Sequence, residues 1–104
     1  LSKGYGTINS ASVTTYIAVA GDQLLTNTTT AGITITLPTS AATGDELTIV
    51  DARGTFGSNN LTINRNGHAI NGATNNLILS TNGQAITLVY VDTTRGWAYK
   101  TNTA

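Results

Sequence analysis

A chain of 104 residues is the length of one domain with one modest core. Charged residues make up only 10 % of it, five basic against five acidic for a formal net charge of zero, and hydrophobic residues 39 %. No basic stripe exists to neutralise phosphates or anionic headgroups, so nucleic acid and membrane surfaces are excluded as expected partners.

Membrane insertion is not expected either, because Thr87 interrupts the longest apolar run, residues 85–91. The absence of Cys removes disulfides, thiolate chemistry and Cys-based zinc sites together. Oligomerisation is then the staple left to a core this small. A chain that starts at Leu1 rather than Met reads as a processed product or a piece of a longer polypeptide.

Residues 1–20 read as an N-terminal arm or connecting segment. Patterning is poor over residues 1–12, and a candidate first strand lies at 14–19. Residues 21–104 read as a β-module. After a weak strand at 23–26 and a Thr/Asn turn at 26–32, Ile33, Ile35 and Leu37 alternate with Thr34 and Thr36. That two-residue period marks a strand, and Pro38 ends it for want of an N–H. Residues 40–47 tolerate helix but are broken by Gly44.

Leu47, Ile49 and Asp51 then alternate with Thr48 and Val50, and residues 52–60 form a loop that is long for a hairpin. Leu61, Ile63 and Arg65 alternate with Thr62 and Asn64 up to Asn66-Gly67, a dipeptide suited to the positive φ angles of tight hairpin turns. The expected hairpin partner is residues 68–70. Asn71-Gly72 and Asn82-Gly83 repeat the signal, with a weak strand at 76–79 between them.

Residues 85–91 are the most apolar strand and the candidate for the sheet centre. Residues 93–96 turn it back into 97–101. The second half therefore reads as an antiparallel meander. The expected fold is all-β: a small antiparallel β-sandwich or barrel-like module with essentially no helix.

Chemistry-bearing residues are few. His68 is the single histidine and has no second ligand at metal spacing, so it reads as a polar residue flanking a turn. Asp45 and Glu46 imitate half of a glycosidase pair, with Asp51 or Asp92 as partner, but adjacent acids after Gly44 read better as a solvated turn. Asp51 and Arg53 are placed to form a surface ion pair of little energetic weight.

Tyr5, Tyr16, Tyr90, Trp97 and Tyr99 are the aromatics able to stack on sugar rings. Trp97 and Tyr99 read instead as core on a terminal strand. No catalytic residue, cofactor site or metal site is assigned, and no enzymatic activity is expected.

Recognition rests on a series of motifs. Gly21-Asp22 precedes an apolar strand, followed by Ile33-Thr34-Ile35-Thr36-Leu37-Pro38, then Gly44-Asp45 and the strand Leu47, Ile49, Asp51. Leu61-Thr62-Ile63-Asn64-Arg65-Asn66-Gly67, Ile70-Asn71-Gly72, Ile86-Thr87-Leu88-Val89-Tyr90 and Gly96-Trp97 complete it. This order resembles a recurring β-module of bacteriophage tail fibres, tailspikes and baseplate-attached appendages, over roughly three quarters of the chain.

The resemblance implies a homotrimer with its chains side by side along a fibre axis, located in the virion. Its role would be structural, connecting or capping the fibre beside other tail or baseplate proteins. The alternative is a carbohydrate-binding module that recognises a host surface glycan at the fibre tip. For contact with a receptor or a neighbouring module, the candidates are Arg53, Phe56, Asn59 and Asn60 of the long loop, with Asn66 and Asn82 at the hairpin tips. Loops on a rigid β scaffold vary without disturbing the core.

Overall fold

A computed structural model describes residues 4–103. Residues 1–3 of the arm lie outside the described residues. The fold is all-β, and no helix occurs among the described residues. Among the described residues nine strands follow one another: β1 (Tyr5–Asn9), β2 (Thr15–Ile17), β3 (Gln23–Asn27), β4 (Ile33–Thr36), β5 (Glu46–Asp51), β6 (Leu61–Asn64), β7 (Leu77–Leu79), β8 (Ala85–Asp92) and β9 (Gly96–Asn102). They form a five-stranded sheet, β1-β3-β5-β8-β9, and a four-stranded sheet, β2-β4-β6-β7.

The antiparallel expectation needs correction, because both sheets are mixed. β1, β3 and β5 pair in parallel, as do β2, β4 and β6; only the pairs β5–β8, β8–β9 and β6–β7 are antiparallel. The reason is connectivity. Over its first six strands the chain alternates between the sheets, so each strand's neighbour is the strand two along. A parallel pair needs a crossover, and here the crossover is a strand of the opposite sheet. The coils are unequal in length: Tyr5 lies opposite Gln23, which lies opposite Thr48.

Two details of the expected meander change with it. The Asn66-Gly67 turn forms, with φ of 50° and 83° and a 2.9 Å bond from His68 N–H to Arg65 O, but the partner of β6 is β7 rather than residues 68–70. The Asn82-Gly83 turn carries the chain from β7 in one sheet to β8 in the other, and only Gly83 has a positive φ there. β8 lies inside its sheet, between β5 and β9, while β5 takes the central place.

The alternating apolar residues point inward from both sheets into one core. Ile33, Ile35, Leu47, Ile49, Leu61, Ile63, Ile86 and Leu88 are all buried, while the Thr residues between them stay partly exposed. Burying a side chain of this kind is worth roughly 1.5–3 kcal/mol relative to leaving it exposed. Trp97 is fully buried and meets Tyr90 edge to face at 5.5 Å. Tyr99 does not close the core as expected. It is exposed, lying on β9 beyond the stretch where residues 69–72 bond to Arg95 and Trp97.

The two Gly-Asp pairs build the same turn. In 19–22 and in 42–45 the third residue is a glycine with φ of 87° or 95°, a conformation that costs Gly nothing. In each turn the aspartate N–H returns to the carbonyl of the first residue, and its carboxylate accepts the N–H of that same residue at 2.9 Å. The residues before 21 supply β1 and β2, the edge strands of the two sheets.

Candidate functional site

The long loop after β5 is organised by one carboxylate. Asp51 ends β5 on an inward position and is only 6 % exposed. Its Oδ1 accepts the N–H groups of Arg53, Gly54 and Thr55 at 3.0–3.3 Å. Its Oδ2 accepts those of Phe56 at 3.1 Å and Gly83 at 2.9 Å. Burial by itself would raise the pKa of this group. The amides of Gly83, Phe56, Thr55 and Arg53 outweigh it and hold the pKa below the usual carboxylate value. The expected Asp51–Arg53 ion pair is therefore replaced by a bond to the Arg53 backbone N–H.

This arrangement decides where the six contact candidates lie. Phe56 is 0 % exposed and belongs to the core, so its ring is not offered at the surface. Asn59 donates from Nδ2 to the carbonyls of Thr28 and Thr29 at 2.9 and 3.3 Å, tying the loop to the 28–32 turn. Asn82 Oδ1 accepts Gly57 N–H at 2.7 Å, and Asn66 Nδ2 donates to Leu37 O at 2.9 Å. Arg53 and Asn60 are exposed. The structure thus brings Arg53, Asn59, Asn60 and Asn82 to one loop region, with Asn66 elsewhere beside the end of β4.

The remaining candidates are also held in structural contacts. His68 is half-buried, with Nε2 2.7 Å from Pro38 O and its ring edge-on to Tyr90 at 5.8 Å. A carbonyl only accepts, so Nε2 carries the hydrogen. Asp45 closes its turn, Glu46 pairs with Lys100 at 3.1 Å, and Asp92 accepts the N–H groups of Thr94 and Arg95. All four aspartates of the chain accept backbone N–H groups at turns. No cluster of three or more His, Asp or Glu side chains suited to a metal occurs among the described residues.

A groove of about 510 Å³ opens beside β1 and β2, lined among others by Tyr5, Tyr16, Asp22, Gln23 and Leu24. Tyr16 donates its hydroxyl to Asp22 Oδ2 at 2.9 Å. Burial, followed by that bond and the carboxylate's charge, raises the Tyr16 pKa above its ordinary value. Sequence reasoning named both tyrosines but had no signal placing them together, since they sit on edge strands of different sheets. No protein-family model and no curated protein sequence matches the chain.

Proposed function

We propose that this chain is a structural, non-enzymatic module of a bacteriophage virion appendage, a tail fibre or tailspike. Three copies join side by side to connect or cap the fibre next to other tail or baseplate proteins. One observation carries the reading: the motifs on which the resemblance rests all serve rigid scaffolding. Both Gly-Asp pairs are carboxylate-closed turns, the alternating strands fill one core, and Gly96-Trp97 locks the last strand beneath residues 69–72. Low charge leaves a surface on which Val13, Ile17, Val19 and Ile78 stand exposed, and neighbouring copies would cover them. Covering ~500 Å² of apolar surface per chain would contribute about 12 kcal/mol before association costs.

Sedimentation velocity at micromolar concentration, read beside immunogold labelling of intact virions, tests the proposal. Three chains per particle and label on the tail are expected. A stable monomer, or label absent from the appendages, would overturn it.

A second reading, recognition of a host surface glycan, is favoured by Tyr5, a residue 55 % exposed that lines the groove. Tyr5→Ala should then lower host-cell adsorption by the phage. Unchanged adsorption removes that reading.

A further inference from the structure

The outward face of the four-stranded sheet differs from the rest of the surface. Its strands stack in register, so that Thr15, Thr34, Thr62 and Ile78 form one row and Ile17, Thr36 and Asn64 the next. None of β2, β4, β6 or β7 contains a charged residue. The five-stranded sheet, in contrast, carries the Glu46–Lys100 ion pair outside. The two most apolar positions of the uncharged face lie at its opposite edges: Ile17 on β2 is 66 % exposed and Ile78 on β7 is 49 % exposed. Val13 and Val19, flanking β2, are exposed as well.

We infer that this face is where copies of the chain meet, with β2 of one copy beside β7 of the next around a three-fold axis that runs along the strands. The inference rests on the trimeric reading above and adds which surface makes the trimer. Edge strands are normally guarded by charge or proline, and β2 and β7 have neither. Strand direction fits the arrangement. β2 runs parallel to β4 and β6 while β7 runs against them, so β2 of the next copy meets β7 antiparallel.

Dimensions fit as well. Strands about 4.8 Å apart make a four-stranded side roughly 19 Å wide, and the centre of a triangle with that side is about 5.5 Å from each sheet. Sheets that share one layer of side chains lie about 10 Å apart, or about 5 Å from the layer's middle. Three such faces therefore enclose a single layer of Thr, Asn and Ile side chains. A face-to-face dimer would bury the same residues but leave both edges' N–H and C=O groups in water. The three-fold prism covers faces and edges together, and a head-to-tail contact that turns by about 120° per copy closes at three.

Sedimentation velocity on Ile17→Lys, Ile78→Glu, the double variant I17K/I78E and the control Thr7→Lys tests the assignment, with far-UV circular dichroism confirming the fold of each. Thr7 lies on the outward side of β1 in the other sheet. The wild type and Thr7→Lys should sediment as three chains, and each single variant on the uncharged face as one chain of 10.7 kDa. The double variant, whose opposite charges meet across copies, should recover the trimer at low salt. A trimer indifferent to both single charges overturns the assignment, and so does loss of the trimer in both without recovery in the double variant. A monomeric wild type overturns instead the trimeric reading beneath it.

Discussion

Asp51 Oδ2 accepts the backbone N–H of Gly83 at 2.9 Å, joining the end of β5 to the turn that leads into its antiparallel neighbour β8. With the four amides of the following loop, Asp51 satisfies five backbone donors at once. Asp51→Asn keeps the shape but removes the charge and turns an amide N–H₂ toward some of those donors. A loss of roughly 2–4 kcal/mol is expected, since hydrogen bonds to a charged partner contribute about 1.5–3 kcal/mol each and left-over donors are costly when buried. Urea denaturation at neutral pH measures it, and an unchanged midpoint would contradict the role given to this carboxylate.

The same group predicts a pH dependence. The folded-state pKa of Asp51 lies below its ordinary value of 3.8. Its contribution is therefore fully present above that value, and it is lost as pH falls below 3.8 and through the lower folded-state pKa. Denaturation midpoints should hold steady from neutrality down to the carboxylate range and then fall. The acid-side fall should be shallower in Asp51→Asn. Equal acid slopes in both proteins would assign the effect to other carboxylates.

Gly96 has φ of 69°, and a Cβ there would lie within the van der Waals envelope of Ala69 O. That carbonyl accepts the N–H of Trp97 at 2.9 Å, so it has no room to retreat. Gly96→Ala should cost roughly 3 kcal/mol or more by combining backbone strain with a clash. Gly44→Ala is the control, because a Cβ at Gly44 meets open space. Strain alone, about 1–2 kcal/mol, is expected there. Thermal denaturation of the pair separates the two contributions.

Phe56 and Arg53 lie three residues apart and should respond in opposite ways. Phe56→Ala empties a fully buried site and should destabilise the fold by about 3–5 kcal/mol. Arg53→Ala, at an exposed position, should change stability by no more than about 0.5 kcal/mol. Arg53→Ala is thus the clean probe of any receptor contact by this loop. On the proposed appendage reading, reduced host adsorption with an intact fold would assign the loop a binding role, and unchanged adsorption would leave it structural.

The sequence by itself determined which side chains face inward. Ile33 and Ile35, Leu47 and Ile49, Leu61 and Ile63, and Ile86 and Leu88 are all buried because a pleated strand sends alternate residues to opposite faces, whatever its neighbour. It also determined the local backbone at Asn66-Gly67 and Asn71-Gly72, where positive φ is a property of the residues themselves. Pairing was not legible. The two-residue period is identical in parallel and antiparallel ladders, and unequal coil lengths hide the correspondence of Tyr5 with Gln23 and Thr48. The 52–60 loop was legible as a loop, but the burial of Phe56 within it was not. That ring is buried where the loop amides and Gly83 converge on Asp51, and Gly83 comes from a turn that no local pattern connects to β5. Tertiary structure alone likewise set Ile17 and Ile78 at opposite edges of one uncharged face, because β2 and β7 share a sheet only through the strands folded between them.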